Sequence, residues 1–341
     1  MPLLQVKDLS VSFANGKQLL SVVQNVSFEV ERGEIVALVG ESGCGKSVTC
    51  LSLTKLLPEP PAHYSGGEIT FNFNGKAWPM LSLKPRELQK IRGGKIAYIF
   101  QEPSVSLNPV FRVGEQIAEA VLLHHSEPHN VEQIVISLLE DVGIPDPVTR
   151  AKCYPHELSG GMQQRIMIAM ALAGEPELLV ADEPTTALDV TIQAQILDLL
   201  RELQHKRSMS IILVTHNLGI VAEVADRVVV MYAGHTVEAA PTQQLLDNPQ
   251  HPYTQALLNA VPQLGHSDKQ LTSIPGTIPS PENFSAGCRF YGRCVRSETL
   301  NEEQQTQCAN TIPSWQNCEP DHFHRCFYPT APVTKQPEVT L

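Results

Sequence analysis

Short apolar runs alternate with amphipathic stretches over the first 240 residues. Runs rich in β-branched side chains predict strands at residues 34–39, 95–100, 178–181, 211–215 and 227–232. Between the third and fourth of these, Ile192, Ile196, Leu199, Leu200 and Leu203 recur at helical spacing and predict a helix over 191–203. Strands that alternate with helices favour an α/β fold, with a sheet covered by helices.

The pattern changes at about residue 262. Apolar periodicity fades, and prolines interrupt the chain repeatedly, among them Pro262, Pro275, Pro279, Pro281, Pro313, Pro320 and Pro329. We therefore predict one domain over 1–262 and a separate, loop-rich C-terminal region over 263–341, which a metal or docking must help to order.

Composition and charge narrow the class of protein. The 341 residues are 42% apolar, enough for a real core in about two domains. With 25 basic and 36 acidic residues the net charge is −11, which disfavours a nucleic-acid-binding surface.

The apolar runs are of strand length, too short to cross a bilayer. The first ten residues carry Lys7 and Asp8 and no apolar signal segment, so we expect a cytosolic address.

Residues 40–47, GESGCGKS, follow a predicted strand and open a predicted helix. This is the context of a phosphate-binding loop, whose glycines let successive backbone N–H groups face an anion. The lysine is expected to reach the β- and γ-phosphates, and the serine hydroxyl to bind Mg²⁺. The residues expected to bind the nucleotide here are Gly40, Ser42, Gly43, Cys44, Gly45, Lys46 and Ser47.

Two carboxylates, Asp182 and Glu183, end the predicted strand 178–181. The carboxyl edge of an α/β sheet is where such folds present ligands. Asp182 suits the Mg²⁺ shell, and Glu183 suits positioning and deprotonating an attacking water. Taken alone, the pair could also cap a following helix; beside a phosphate-binding loop the catalytic interpretation is favoured.

Five further motifs occur in a fixed order. Leu158-Ser159-Gly160-Gly161-Met162-Gln163-Gln164-Arg165, just before an apolar helix, resembles the signature motif of ABC ATPases. Gln101 matches that family's Q-loop glutamine, Ala187-Leu188-Asp189 its D-loop, and His216 its switch histidine. Phe13 lies where the family places an aromatic ring that stacks on adenine. The resemblance covers residues 1 to about 240.

This resemblance implies a RecA-like core with an antiparallel β subdomain and a helical subdomain at about 104–172. It implies ATP and Mg²⁺ as ligands, with Ser47, Gln101 and Asp182 at the metal and Glu183, Gln101 and His216 in catalysis. In the family, the signature motif contacts the γ-phosphate of an ATP held by a second subunit, which implies that role for Ser159, Gly160 and Gly161 here. One chain would therefore not complete a site, and a head-to-tail dimer is expected.

A second resemblance concerns the chain beyond the core. His251-Pro252-Tyr253-Thr254 resembles a signature of ATP-binding subunits of dipeptide and oligopeptide ABC importers, a group that includes some nickel importers. It implies a distinct second ATPase, two membrane permease subunits and an extracytoplasmic binding protein. It also implies a location on the cytoplasmic face of a bacterial inner membrane, where residues 102–112 would meet a permease. We expect His251 and Tyr253 to form a helix-start turn.

Five of the eight cysteines fall within 39 residues: Cys288, Cys294, Cys308, Cys318 and Cys326. Their wide spacing is not that of a zinc ribbon, yet a cytosolic cluster favours metal binding over disulfides. Similar importer subunits carry four cysteines here, and some of them hold a [4Fe–4S] cluster; by local match the four correspond to Cys288, Cys294, Cys308 and Cys326. Cys318 in place of Cys308, zinc, or unligated thiols remain open alternatives. His322 and His324 could serve a zinc site, although surface histidines are the favoured interpretation.

Two other classes of function compete. A DNA-maintenance ABC ATPase would carry a long coiled coil before the signature, but only 56 residues separate Gln101 from Leu158. A redox-sensing module with a decayed ATPase core conflicts with the intact Lys46, Glu183 and His216. Two departures from the family pattern stand out: Cys44, which would make the site thiol-sensitive if exposed, and Asn217, where many relatives carry aspartate.

Overall fold

The protein, described here from a computed structural model, contains a four-stranded and an eight-stranded sheet. Its structure describes residues 1–16, 18–125, 129–186, 188–260 and 274–330. The strands are β1 (Leu4–Asn15), β2 (Gln18–Val30), β3 (Ile35–Val39), β4 (Ala62–Phe73), β5 (Lys76–Pro79), β6 (Ile96–Ile99), β7 (Leu178–Asp182), β8 (Ser210–Thr215), β9 (Arg227–Tyr232), β10 (His235–Pro241), β11 (Gln316–Glu319) and β12 (His322–His324).

The helices fall mainly on either side of the larger sheet and in one block between β6 and β7. They are α1 (Lys46–Ser52), α2 (Pro85–Ile91), α3 (Pro103–Ser106), α4 (Val113–His124), α5 (Val131–Asp141), α6 (Pro147–Arg150), α7 (Gly160–Leu172), α8 (Val190–Arg207), α9 (Leu218–Val224), α10 (Thr242–Asp247), α11 (Pro252–Asn259) and α12 (Glu302–Asn310). Among the described residues no helix has both the length and the apolar character that a bilayer span requires.

The larger sheet has the order β11-β12-β10-β9-β3-β8-β7-β6. Strands β9, β3, β8, β7 and β6 are parallel, and all five coincide with predicted strands to within one residue at each end. Strand β3 is buried along its whole length, as a central strand covered on both faces must be. Its carboxyl end and that of β7 therefore meet at one edge, where the predicted chemistry lies.

The predicted helix at 191–203 is present and longer, as α8, with its apolar face in the core. Asp189 is its N-cap, whose carboxylate accepts a hydrogen bond from the Ile192 amide, and the helix ends in a basic turn. An acidic N-cap and a basic last turn both stabilise the helix, because their charges interact favourably with the helix dipole. Helices α3 to α7 occupy the part of the chain predicted as a helical subdomain.

The smaller sheet, in the order β2-β1-β4-β5, is antiparallel and packs its apolar side chains against the larger sheet. This is the antiparallel subdomain that the family resemblance implies. The predicted domain boundary at 262/263 lies outside the described residues and stays a prediction.

The C-terminal region predicted from the sequence is docked on the rest of the chain. Strand β12 pairs antiparallel with β10, and β11 pairs with β12, so the C-terminal chain extends the main sheet. The buried carboxylate of Glu238 on β10 fixes this junction: it accepts hydrogen bonds from the amides of Gln250 and His251 and from His322 Nε2, at 2.7, 2.8 and 2.7 Å. The region is loop-rich, as predicted, and it is anchored on the larger sheet.

Candidate functional site

The phosphate-binding loop lies between β3 and α1, and its backbone has a conformation that requires glycine at several positions. A Cβ on Gly40 would lie 2.2 Å from the Met231 carbonyl oxygen, and Gly43 and Gly45 have φ angles of +82° and +103°. The Lys46 ammonium is buried and donates to the carbonyls of Gly40 and Glu41, at 2.6 and 3.1 Å. A buried cation beside a backbone that only glycines can adopt fits the binding of a phosphate chain.

Two of the three expected magnesium ligands, Ser47 and Asp182, lie together, whereas Gln101 hydrogen-bonds Glu183 instead. The Ser47 hydroxyl hydrogen-bonds the Asp182 carboxylate at the end of β7. Burial, with the nearby charge of Glu183, raises the pKa of Asp182, while the Ser47 hydrogen bond and the Lys46 charge oppose the shift. The exposed Ser47 hydroxyl and the half-buried Asp182 carboxylate are oxygen donors of the kind that Mg²⁺ takes, and a bound cation would lower the pKa of Asp182 again.

Glu183 is the meeting point of the predicted catalytic residues. Its carboxylate lies 3.9 Å from Lys46 Nζ, 3.2 Å from Gln101 Nε2 and 3.4 Å from His216 Nδ1. Thr186 donates a further hydrogen bond of 3.0 Å, a contact that no motif predicted. Glu183 itself has φ +47°, a left-handed conformation that is uncommon for a non-glycine residue and is found mainly where function requires it.

The signature segment opens α7, as predicted. Ser159 is the N-cap, and its hydroxyl accepts a hydrogen bond from the Met162 amide at 3.4 Å. Ser159 and Gly160 are exposed, so their polar groups face outward from this chain. Within the chain, a Cβ on Gly161 would lie 3.0 Å from Ile192 at the start of α8, close to the predicted D-loop. Ala187 of that loop lies outside the described residues.

Phe13 lies on β1, paired with Leu20 and Ala62, and is partly buried against the apolar cluster between the two sheets. Its predicted stacking on adenine stays a prediction.

Two expectations about unusual residues now have outcomes. Cys44 is 1% exposed, and burial raises its pKa, so the exposed sulfur on which thiol sensitivity depends is not present in this conformation. Asn217 caps α9, because its side chain accepts a hydrogen bond from the Gly219 amide at 2.9 Å. An aspartate there would make the same cap.

The four cysteines matched to the family line one small cavity: Cys288, Cys294, Cys308 and Cys326. Cys318 is exposed on β11 and does not line it. Burial raises the pKa of Cys288 and of Cys326 to about 12, so without a cation these thiols are neutral. In the part of the chain that the structure describes, no three His, Cys, Asp or Glu side chains are arranged to hold a metal ion. The donor types fit a metal; ligating geometry is not shown.

His322 and His324 are not surface residues. Both are buried on β12, and His322 Nε2 hydrogen-bonds the buried Glu238 carboxylate at 2.7 Å. The local sequence around these histidines is polar and did not predict their burial, because the hydrogen-bond partner of His322 is Glu238, 84 residues away.

The His251-Pro252-Tyr253 motif forms the expected helix start: His251 is the N-cap of α11 and Pro252 its first residue. Tyr253 does more than this. It is fully buried, and its hydroxyl accepts a hydrogen bond of 2.8 Å from the amide of Glu41 in the phosphate-binding loop. Sequence reasoning missed this contact, since no spacing pattern reveals a partner 212 residues away.

The fold and this site define an ABC-type ATPase. Residues 23–186 match the family described as "ABC transporter". Among solved structures, the ATP-binding cassette MJ0796, titled a dimer in a post-hydrolysis state with ADP and Pi, aligns with a TM-score of 0.61 at 25% identity over 70% of this chain and 98% of that one. CbiO1 of Clostridium perfringens aligns with a TM-score of 0.61 at 26% identity, over 72% and 90%.

Residues 237–299 match a second family, "Oligopeptide/dipeptide transporter, C-terminal region". The chain is 45% identical to the oligopeptide transport ATP-binding protein OppD of Bacillus subtilis, over 98% of this chain and 92% of that protein. It is 50% identical to the dipeptide transport ATP-binding protein DppD of the same organism, over 85% and 86%. The chain therefore belongs to the family of ATP-binding subunits of dipeptide and oligopeptide ABC transporters.

Proposed function

We propose that this protein hydrolyses ATP to energise import of di- or oligopeptides through a membrane ABC transporter. The observation that carries the proposal is the convergence of Lys46, Gln101 and His216 on the Glu183 carboxylate, in a chain whose relatives are named for peptide transport. A nickel complex or another peptide-like substrate is the alternative, because specificity in such importers lies in other subunits.

Each residue has a role that its position supports. The loop amides from Ser42 onward and Lys46 hold the phosphate chain, and Ser47 and Asp182 would hold Mg²⁺, which neutralises phosphate charge when bound. Glu183 orients and deprotonates the attacking water, and Gln101 and His216 fix the carboxylate and sense the γ-phosphate. The buried environment of Lys46 strengthens its attraction for phosphate, because little water screens it.

Replacing Glu183 with Gln tests this assignment. The amide keeps the shape but cannot take a proton, so hydrolysis by the assembled transporter should nearly vanish while ATP still binds. Glu177→Gln is the matched control, since Glu177 lies just before β7, at the opposite end of the strand that leads to Glu183. Unchanged turnover in Glu183→Gln would refute the role of Glu183.

We also propose that a second ATP-binding subunit, a distinct paralogue, completes each site. The support is that Ser159 and Gly160 are exposed at a helix start, where backbone amides are free to meet a phosphate on another subunit. A Ser159→Arg variant should leave ATP binding to the isolated chain intact and abolish hydrolysis by the complex. Hydrolysis by the isolated monomer at the rate of the complex would contradict the shared site.

The family implies membrane permease partners, and we propose that two of them dock beside Gln101 on the cytoplasmic face of a bacterial inner membrane, with a binding protein outside. Large apolar side chains are exposed in this segment: Phe100, Val105, Val110 and Phe111 are 45, 78, 71 and 52% exposed. Such a patch is typical of an interaction surface. Val105→Asp should lower copurification of the permeases without changing ATP binding.

For the cysteine-lined cavity we propose a [4Fe–4S] cluster on Cys288, Cys294, Cys308 and Cys326, with structural zinc as the alternative. The support is that these four thiols share one cavity and Cys318 does not line it. Protein purified without oxygen should carry about four iron and four sulfide per chain. Cys288→Ser should lose them and the control Cys318→Ser keep them; one zinc per chain, or no metal, would refute the cluster.

A further inference from the structure

Every polar group of Glu41, the second residue of the phosphate-binding loop, is engaged. Its amide donates to the Tyr253 hydroxyl at 2.8 Å, and its carbonyl accepts from Lys46 Nζ at 3.1 Å. Its carboxylate accepts from both arms of the Arg293 guanidinium, at 2.7 and 3.0 Å. Tyr253 and Arg293 both lie within the region matched to the transporter C-terminal family. That region therefore reaches Lys46, the phosphate-binding cation, through one residue.

The Arg293 contact is built to hold position. Two parallel N–H···O bonds to a carboxylate fix orientation as well as distance. The Arg293 side chain is only 9% exposed and that of Glu41 29%, so water screens the pair less than it screens a surface ion pair. The guanidinium also donates to the carbonyls of Pro275 and Gly276, at 2.7 and 3.1 Å, which anchors it on the C-terminal side.

A second arginine supports the loop by another route. Arg289 donates to the carbonyl of Ala233 and to the side chain of Gln24. The next residue, Gly234, donates from its amide to the Cys44 carbonyl at 2.8 Å. Arg289 follows Cys288 and Arg293 precedes Cys294, two residues that line the cysteine cavity. The segment 289–293 therefore contacts the ATPase core beside the phosphate-binding loop, through Arg289 at one end of the segment and Arg293 at the other.

We propose that Arg293 and Tyr253 are positioning residues for ATP hydrolysis: they clamp Glu41 from the C-terminal region and thereby set the position of Lys46 and the phosphate-binding loop. The inference rests on the proposed ATPase function and deepens it. It gives the C-terminal region a direct part in nucleotide binding, in addition to any role in assembly. Neither residue contacts the reacting atoms, so each acts through Glu41.

The test compares full-length variants Arg293→Met, Arg293→Lys and Tyr253→Phe with Arg227→Met. Arg227 makes an ion pair of similar length, 3.0 Å, with Glu34, just before β3 at the end away from the loop. Tyr253→Phe keeps the buried ring and removes one acceptor. Two readouts apply: KM and kcat for ATP in the assembled transporter, and the rate at which Cys44 of the full-length chain reacts with N-ethylmaleimide, followed by peptide mass spectrometry.

Cys44 is a suitable reporter because it lies in the loop and is 1% exposed, so it reacts only when the loop opens. Cys50, also 1% exposed but in the core helix α1, reports general loosening. We expect Arg293→Met to raise the KM for ATP about tenfold, with a smaller effect on kcat, and to speed Cys44 labelling by a similar factor. Arg293→Lys should be intermediate, and Arg227→Met should resemble the wild type.

A double variant completes the test. If Arg293 acts through Glu41, adding Glu41→Gln to Arg293→Met should change KM little further, because the pair is already broken. Wild-type KM and Cys44 labelling in Arg293→Met and Tyr253→Phe would overturn the clamp, as would equal acceleration at Cys44 and Cys50. A complex that hydrolyses no ATP would refute the proposed function alone, and Cys44 labelling would still decide on the clamp.

Discussion

The junction at Glu238 gives a prediction whose size follows from the structure. The carboxylate is fully buried and accepts three hydrogen bonds, from two amides at the start of α11 and from His322 on β12. Replacing Glu238 with Ala leaves all three donors without this acceptor. A hydrogen bond to a charged group contributes roughly 1.5–3 kcal/mol, and since burying the carboxylate itself carries a desolvation cost that the variant avoids, we expect a net loss of about 3 kcal/mol.

The assay is urea unfolding followed by fluorescence. Trp315 lies beside the C-terminal strands, with its ring 6.3 Å from that of Phe323, whereas Trp78 is on β5. In a Trp78→Phe background the signal reports detachment of the C-terminal strands. With a urea dependence of about 1–3 kcal/mol/M, a loss of about 3 kcal/mol lowers the midpoint by roughly 1–3 M.

Two further variants serve as comparisons for Glu238→Ala. Glu319→Ala removes a carboxylate from exposed β11 that accepts from Asn248 at 3.0 Å, and it should shift the midpoint by only a few tenths of a molar. Glu238→Gln, which keeps the shape and one acceptor oxygen, should fall between the two. A Glu238→Ala midpoint within about 0.3 M of the parent would refute the reasoning that this carboxylate anchors the C-terminal chain.

Other predictions concern the loop and pH. Gly40→Ala should lower ATP affinity at least tenfold, measured by calorimetry, because its Cβ would lie 2.2 Å from the Met231 carbonyl oxygen. The control is Gly66→Ala on β4, whose Cβ would make only an ordinary contact of 3.8 Å with Ser10. Burial, with the charges of Arg289 and Arg325, lowers the pKa of His235 to about 3. Between pH 6.5 and 3 only the unfolded chain binds this proton, so the free energy of unfolding should fall by about 1.4 kcal/mol for each pH unit of acidification. His235→Gln should make the free energy of unfolding less dependent on pH over this range.

The sequence predicts the centre of the fold well because one physical signal dominates there. Strands β3 and β7 to β9 are continuous apolar runs buried on both faces, and their periodicity and length leave little choice. Strand β11 is the opposite case. All four of its residues are polar or weakly apolar and exposed, and pairing with β12 alone makes it a strand. Such context is absent from local sequence.

The site divides in the same way. Motif spacing predicts Lys46, Ser47, Asp182, Glu183 and His216, because the carboxyl ends of neighbouring parallel strands must lie close together. The contacts that orient these residues were not predictable. The Arg293 to Glu41 pair joins residues 252 apart, and either side chain alone looks like ordinary surface charge. Long-range polar pairs carry no periodicity, so only the folded chain reveals them.

The central claim is that ATP turnover at this site drives peptide import. Uptake of a labelled dipeptide and a labelled pentapeptide is measured in cells that lack this gene, complemented with the wild type or with Lys46→Ala. We predict that uptake of at least one peptide falls without the gene and that only the wild-type copy restores it. Normal entry of both peptides without the gene would contradict the peptide assignment, and full rescue by Lys46→Ala would contradict the claim that the phosphate-binding loop powers transport.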